Sequence, residues 1–324
     1  MSRADPTGSA PQKAGPRPII LDCDPGHDDA LAMLLALARP EVRVLGVTTV
    51  GGNADLQRTT RNALAVLTLA GRTDVPVAIG AAGPLEGSLH VAPGVHGESG
   101  LDGADLPEPA AQPVPDGAVA LMARLISGSP APVTLVPTGP LTNIALLLRA
   151  HPELRPRIAA ISLMGGAIGE GNATASAEFN IWVDPEAAAE VFESGLPLAM
   201  MGLDVTHQAR VTVAESDAWA TLGTRTGRVF ADLFRFFARF HRERYGWDGS
   251  PIHDAVAVAH ALGLGIVRTE RYRVDIETQG RFTRGRTVVD EHGLSGRTPN
   301  ADVGVGIDRE RFLGLVRDAL AAFP

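Results

Sequence analysis

Four aspartates fall within eight residues near the start of the chain, in the segment from Asp22 to Asp29. An apolar run leads into this segment, and an apolar helical run follows it from Leu31 to Ala38. Carboxylates this close repel one another and resist desolvation, so a fold tolerates them best when a cation neutralises them. Ca²⁺ and Mg²⁺ both prefer oxygen ligands. The segment therefore predicts a site for a hard cation at the end of the first strand.

Two other interpretations fit parts of this segment. N-capping of the helix that follows would explain one of the acids Asp24 and Asp29, but not the whole cluster. The pair Asp22 and Asp24 also resembles the phosphoryl-transfer motif of haloacid-dehalogenase-like phosphatases, in which the first aspartate is the nucleophile. Gly26 stands where that family usually has Thr or Val, and the further pair Asp28-Asp29 lies outside its pattern.

Strand-like and helix-like runs alternate through the first two hundred residues. This alternation predicts βαβ units and a largely parallel sheet, which gathers its functional loops at the carboxyl ends of the strands. The predicted strands are Pro18–Asp22, Val42–Thr48, Val75–Ile79, Val133–Val136, Ile158–Leu163 and Pro197–Met201. The predicted helices are Asp28–Ala38, Leu56–Ala70, Asp116–Ser127, Leu141–Ala150 and Pro185–Ser194. After a helix over Asp254–Ala261, we expect short strands at Tyr272–Ile276, Arg286–Val289 and Val303–Val305, then a helix over Arg309–Ala321.

Two segments break this alternation. Residues 80–115 are rich in Gly and Pro and poor in periodicity, which indicates a functional loop. Residues 223–248 carry Phe230, Phe234 and Phe237 at helical spacing, which favours core packing, and then become polar and basic, as in a lid or a surface helix. No internal repeat or Pro/Ser-rich linker divides the chain, so one domain over residues 18–324 is expected, after a disordered tail over residues 1–17.

Composition excludes several classes of function. The net charge of −8, without a Lys/Arg block, argues against a nucleic-acid partner. No apolar run is long enough to span a bilayer. Cys23 is the only cysteine, which rules out an intrachain disulfide, and the N-terminus lacks the apolar core of a signal peptide. We therefore expect a cytoplasmic protein, with Cys23 as a small buried residue.

Several further motifs occur along the chain in a characteristic order. They are Val50-Gly51-Gly52-Asn53, Thr138-Gly139-Pro140, Leu163-Met164-Gly165-Gly166, Gly171-Asn172, Glu178-Phe179-Asn180 and Pro251-Ile252-His253-Asp254. With the aspartate-rich segment, they make the chain from about Pro18 to its C-terminus resemble the inosine-uridine-preferring nucleoside hydrolases. The resemblance implies a single-domain α/β fold with an open, mostly parallel, Rossmann-like sheet flanked by helices. It also implies hydrolysis of the N-glycosidic bond of a ribonucleoside to ribose and free base.

The resemblance assigns metal and ribose ligands. It implies Ca²⁺ bound by carboxylates of Asp24, Asp29 and Asp254 and by the backbone carbonyl of Thr138. Ribose binding is assigned to side chains that can accept or donate hydrogen bonds, and to a methionine that packs on the sugar: Asp28, Asn53, Asn172, Glu178, Asn180 and Met164. Without the resemblance, Asn53 and Asn172 would be interpreted as turn residues, and Met164 as a residue of the hydrophobic core.

The resemblance also implies that histidines contact the base of the nucleoside. His253 and His96 match pocket histidines of the family, whereas His27, inside the aspartate-rich segment, is expected to have a structural hydrogen-bonding role. His241 and Tyr245 lie four residues apart on one helical face, where pyrimidine-preferring relatives have Gln and Tyr. The remaining histidines are expected to have no function: His90, His151, His207, His260 and His292.

The implied mechanism is direct attack by water with inversion at C1′. Asp24 would act as the general base, and His241, Tyr245 and His253 are the candidates to protonate the leaving base. The substrate would be a pyrimidine nucleoside such as uridine or cytidine, or also inosine. A metal-dependent phosphatase and a non-catalytic nucleoside- or ribose-binding protein are the alternatives. Homodimers or homotetramers are usual in the family.

Overall fold

The computed structural model describes residues 15–324. Eleven strands lie within these residues. Their bounds, in chain order, are β1 Arg17–Cys23, β2 Val42–Thr49, β3 Val77–Ile79, β4 Val133–Pro137, β5 Ile158–Met164, β6 Leu198–Met201, β7 Arg210–Val211, β8 Ser250–Pro251, β9 Val267–Ile276, β10 Thr287–Asp290 and β11 Ala301–Ile307.

Twelve α-helices connect or follow these strands in the described part of the chain. They are α1 His27–Ala38, α2 Leu56–Leu69, α3 Pro93–His96, α4 Ala118–Gly128, α5 Thr142–Ala150, α6 Phe179–Val183, α7 Pro185–Phe192, α8 Leu203–Thr206, α9 Val213–Asp217, α10 Arg225–Tyr245, α11 His253–Ala261 and α12 Arg309–Ala321. None of the helices within residues 15–324 is both long and apolar enough to cross a membrane.

Nine strands form one sheet in the order β10-β9-β11-β6-β5-β4-β1-β2-β3. Neighbouring strands from β11 to β3 are parallel, whereas β9 pairs antiparallel with both β11 and β10. The chain runs outward from β1 in both directions, so the order of connection reverses between β1 and β4. Loops that follow the two strands at such a switch point diverge and leave a crevice for a ligand. The aspartate-rich segment follows β1, and Thr138 follows β4.

Apolar residues are buried on both faces of this sheet. Ile19 and Leu21 of β1 point into a core that includes α1, α2, α10, α11 and α12. Ile20 points the other way, into a core that includes α4, α5 and α7. This alternation along a strand buried on both faces explains why β1 is continuously apolar. Helices on both faces of a mostly parallel sheet confirm the expected single-domain α/β architecture.

Most predicted elements are present, with shifted ends. β1 begins at Arg17, whose Cα pairs with Val42, so the strand starts inside the predicted tail; residues 1–14 of that tail lie outside the described residues. β9 begins at Val267 rather than Tyr272, because pairing with β11 extends it through a charged stretch that has no apolar signal. Residues 80–115, expected to form a loop, contain the short helix α3.

The Phe-rich insert is one helix, α10. Phe230, Phe234 and Phe237 are buried, which confirms their role in core packing. Cys23 is also buried.

Candidate active site

The first turns of two helices carry the central carboxylates. Asp28 and Asp29 lie in the first turn of α1, Asp254 lies in the first turn of α11, and the two helices pack against each other. The positive end of each helix dipole thus stabilises negative charge at the same point. Carboxylate oxygens of these three residues all lie within 4.8 Å of one another, a spacing that could hold a metal ion.

Asp24 lies beside this group in a tight cradle. Its Oδ2 accepts the backbone N–H of Asn53 at 2.7 Å, whereas its Oδ1 is buried and has no hydrogen-bond partner in the described part of the chain. A Cβ added to Gly52 or Gly139 would collide with the Asp24 carboxylate, so the glycines of two motifs make room for it. A buried carboxylate oxygen without a partner is costly, and a cation would satisfy it.

Asp29 links the segments on either side of the switch point. Its Oδ1 accepts the Thr138 hydroxyl at 2.7 Å, and its Oδ2 accepts the Asn53 side-chain amide at 3.0 Å. Oδ2 also accepts the Gly26 backbone N–H at 3.0 Å, at the start of α1. N-capping of α1 therefore explains one hydrogen bond of Asp29. It does not explain the position of Asp24, which makes no hydrogen bond to the N-terminus of this helix.

Burial shifts the protonation of all four acids. Desolvation raises the pKa of Asp24 and Asp254 well above the usual range, and neighbouring carboxylates add to the effect. Desolvation also raises the pKa of Asp28 to about 7 and raises that of Asp29. Without a cation, this cluster holds protons near neutral pH; a bound divalent ion would return the groups to the ionised form. The donor set therefore fits a metal ion.

A cavity of about 280 Å³ opens beside the acids. All seven residues predicted to bind substrate line it, as do the predicted metal ligands Thr138 and Asp254. The cavity is also lined by the three candidates for protonating the base, His241, Tyr245 and His253. Asp24 and Asp29 are not part of the lining but accept hydrogen bonds from Asn53 and Thr138, which are. The structure thus brings together at one site the residues that the motifs singled out.

Amides and a carboxylate form one wall of the cavity. The Asn180 side-chain N–H group donates to the Thr138 carbonyl at 2.7 Å and lies 3.4 Å from the Met164 sulfur. Glu178 caps α6 by accepting the backbone N–H of Asn180 at 3.0 Å and of Ile181 at 3.2 Å. Burial raises the pKa of Glu178 to about 7 despite these bonds.

Aromatic rings and histidines form the opposite end. His241 Nδ1 lies 3.1 Å from the Phe237 carbonyl, and burial lowers the pKa of His241 to about 4. A carbonyl only accepts, so Nδ1 carries the proton and Nε2 has a free lone pair. Tyr245 stacks on Trp247 at 4.5 Å between ring centroids. His253 Nδ1 lies 2.7 Å from the Thr206 hydroxyl, and burial lowers the pKa of His253 too.

Several residues of the cavity were not predicted. His207, expected to have no function, lines the cavity with its ring 5.0 Å from Trp247 and 5.5 Å from His253. Trp247 itself is held by the guanidinium of Arg210, 4.6 Å from the ring centroid. The remaining unpredicted lining is mostly apolar: Ala92, Val95, Ala173, Phe179, Trp182, Phe237 and Phe240.

His27 is buried, as expected for a structural residue. Its Nε2 lies 2.8 Å from the Asp102 carbonyl, and burial lowers its pKa to about 4.

Comparison with known proteins identifies the family of this chain. The family model for the inosine-uridine preferring nucleoside hydrolases matches residues 19–314. The pyrimidine-specific ribonucleoside hydrolase RihA of Escherichia coli O127:H6 is 51% identical over 304 residues, which cover 94% of this chain and 98% of that protein. RihA of Salmonella arizonae is 51% identical over the same shares of both chains.

Solved structures agree. A purine-preferring ribonucleoside hydrolase from Gardnerella vaginalis superposes with a TM-score of 0.88 at 35% identity, covering 94% of this chain and 98% of that one. An inosine-guanosine nucleoside hydrolase superposes with a TM-score of 0.86 at 30% identity, covering 94% and 98%. These matches over nearly the whole chain leave no support for the phosphatase alternative. The chain belongs to the inosine-uridine preferring nucleoside hydrolase family and is a ribonucleoside hydrolase.

Proposed function

We propose that this enzyme hydrolyses pyrimidine ribonucleosides such as uridine and cytidine, with inosine as a further substrate, and that it uses Ca²⁺. The observation that carries the proposal is that the cavity beside the acids has two chemically different ends. Carboxylates and amides suited to a metal ion and a sugar lie at one end, and aromatic rings and neutral histidines suited to a base lie at the other.

The preference for pyrimidines is drawn from the relatives. The proteins that are 51% identical are called pyrimidine-specific, whereas the purine-preferring enzyme is 35% identical. His241 stands where the family's pyrimidine-preferring members carry Gln, so this enzyme would use an imidazole for base recognition.

The ion would be held by Asp24, Asp29, Asp254 and the Thr138 carbonyl. Ca²⁺ accepts six to eight oxygen ligands in flexible geometry, which suits carboxylates that come from separate loops and helices. When bound, such an ion would make the attacking water more acidic.

The protein's own groups supply the rest of the reaction. Asp24 acts as the general base that takes the proton of the attacking water. Asp28, Asn53, Asn172, Glu178 and Asn180 hold the ribose while C1′ becomes oxocarbenium-like, with Met164 packed against the sugar. Direct attack by water inverts the configuration at C1′.

Among the three groups that could protonate the leaving base, Tyr245 is favoured. His241 and His253 have lowered pKa values, so near pH 7 they are neutral and poor acids. The Tyr245 side chain has an O–H group that can donate a hydrogen bond to the departing base.

A cytoplasmic location is a prediction that rests on the single cysteine, Cys23. Assembly as a homodimer or homotetramer is a prediction from the family resemblance.

The test is a substrate panel. Release of base and ribose from uridine, cytidine, inosine and adenosine is measured with the purified enzyme, with the chelated enzyme, and after Ca²⁺ is added back. We expect the highest kcat/KM with uridine or cytidine and loss of turnover on chelation. Turnover that survives complete metal removal contradicts the metal role, and a higher kcat/KM for adenosine contradicts the pyrimidine preference.

A further inference from the structure

His27 has no part in the proposed metal site, ribose contacts or proton transfer, yet it is fully buried beside the cavity. Its ring lies parallel to the rings of Phe236 and Phe237, with centroids 5.6 and 5.0 Å away. Both ring nitrogens have partners: Nε2 lies 2.8 Å from the Asp102 carbonyl, and Nδ1 lies 3.1 Å from Nδ1 of His96. His96 is the histidine that lines the cavity.

These two contacts determine where the protons lie. A carbonyl oxygen only accepts, so His27 Nε2 must donate. A buried imidazole packed among phenylalanine rings is neutral, because a charge there would be desolvated. Nδ1 of a neutral His27 therefore has a lone pair and accepts a hydrogen bond. In this arrangement the donor is Nδ1–H of His96, which leaves Nε2 of His96 without a proton.

One competing arrangement exists. The backbone N–H of His27 lies 3.3 Å from the same His96 Nδ1 and could donate to it if that nitrogen were unprotonated. The two Nδ1 lone pairs would then face each other at 3.1 Å, which is repulsive. The shorter ring-to-ring contact therefore favours the Nδ1–H form of His96.

The Asp102 carbonyl is itself held in place. The Asp102 carboxylate accepts the backbone N–H of Glu98 at 3.1 Å and of Ser99 at 3.2 Å. The Asp102 backbone N–H donates to the His96 carbonyl at 3.2 Å. Asp102 thus contacts both histidines: its carbonyl accepts a hydrogen bond from His27, and its backbone N–H donates to the carbonyl of His96.

We propose that His27 is a positioning residue that fixes His96 with its proton on Nδ1, so that Nε2 of His96 offers a hydrogen-bond acceptor to an N–H group on the edge of the nucleobase. No hydrogen bond within residues 15–324 uses this Nε2. This inference rests on the proposed function and concerns the base specificity of the enzyme. A base with a ring or exocyclic N–H group is selected over a base in which that group is blocked. The N3–H group of uridine is such a donor.

The experiment compares uridine with N3-methyluridine in the wild-type enzyme, His27→Phe and His27→Asn. Phe keeps the ring shape but removes the acceptor, so His96 can move its proton to Nε2. Asn can place its amide oxygen near the former Nδ1 position and so restores the acceptor. In the wild-type enzyme we expect kcat/KM to be roughly ten- to a hundredfold higher for uridine, the range for one lost buried hydrogen bond.

The ratio of kcat/KM for the two substrates is the readout, because it cancels any general loss of folding or activity in a variant. We expect His27→Phe to reduce this ratio about tenfold and His27→Asn to preserve most of it. An equal ratio in all three proteins shows that the methyl group is rejected by its size alone and overturns the proposal. A ratio near one in the wild-type enzyme also overturns it.

Two controls separate this inference from the proposed function. Hydrolysis of 4-nitrophenyl riboside, which has no N–H donor, reports on the ribose and metal end; a wild-type enzyme inactive on it and on uridine contradicts the proposed function itself. ¹⁵N NMR of histidine-labelled wild-type protein reads the tautomer without any substitution. A protonated Nδ1 on His96 supports the proposal, and a protonated Nε2 overturns it.

Discussion

The backbone N–H of Asn53 donates to Oδ2 of Asp24 at 2.7 Å, and this bond leaves the other oxygen of the same carboxylate buried without a partner in the described structure. Asn53 follows β2 and Asp24 follows β1, so the contact joins two adjacent strand ends. The amide thus holds the carboxylate through one oxygen, and the other oxygen is available to a cation and a water molecule.

This arrangement makes Asp24→Asn the most direct test of the general base. The substitution keeps the shape of the side chain but removes its charge and its basicity. We expect kcat to fall by roughly two to four orders of magnitude, the usual contribution of a general base, with a larger loss if metal affinity also falls. Circular dichroism should show an unchanged fold. Near-normal turnover in this variant would contradict the role of Asp24.

His241→Gln tests base recognition at the cavity end. His241 presents an unprotonated Nε2, whereas the glutamine amide can present a donor or an acceptor. We expect the ratio of kcat/KM between uridine and inosine to change about tenfold or more, with little effect on stability. His151→Gln, at a surface position away from the cavity, is the matched control. If the ratio is the same in both variants, base choice lies elsewhere.

Tyr245→Phe separates binding of the base from its protonation. The ring and its stacking on Trp247 are retained, but the hydroxyl is lost. We expect kcat for uridine to fall by roughly ten- to a hundredfold, with KM nearly unchanged. 4-Nitrophenyl riboside has a leaving group that departs without a proton, so its hydrolysis should be much less affected. Equal losses on both substrates would argue against proton donation.

Metal removal should change the pH dependence of stability. In the metal-free protein, burial raises the pKa of Asp28 and Glu178 to about 7, well above the values in an unfolded chain. The folded state then binds more protons than the unfolded state between about pH 4 and 7, so the free energy of unfolding rises as the pH falls through this range. If Ca²⁺ binds as proposed, it would keep Asp28 and the neighbouring aspartates ionised, so the Ca²⁺-loaded protein should lack most of this rise.

Thermal unfolding of the chelated and the Ca²⁺-loaded protein at pH 5 and pH 8 measures this difference. We expect the gap between their midpoints to be larger at pH 8. A gap that is independent of pH would show that the cluster does not couple metal binding to protonation.

The sequence predicted the acids and amides of the site because each lies in a short motif at the end of a strand or the start of a helix. Thr138, Asp24 and Asn53 follow β4, β1 and β2, which are neighbouring strands in the sheet. A parallel sheet brings the loops after such strands together. Local sequence patterns are sufficient to predict the positions of such residues.

Other residues depended on long-range packing. β7 pairs with β8, Arg210 of β7 lies over Trp247, and the Trp247 ring is 5.0 Å from His207. No local pattern encodes these contacts. Asp102 acts through a backbone carbonyl, which any residue type supplies. The extension of β9 to Val267 likewise comes from pairing with β11 rather than from apolar periodicity.

The central claim is tested most directly by the products formed from uridine. Wild-type enzyme loaded with Ca²⁺ is incubated with uridine in phosphate-free buffer, and uracil and ribose are quantified together with the remaining uridine. The account predicts uracil and ribose in equal amounts, formed continuously over many turnovers and strongly reduced with Asp24→Asn. Uridine that binds the protein but is recovered intact would contradict it.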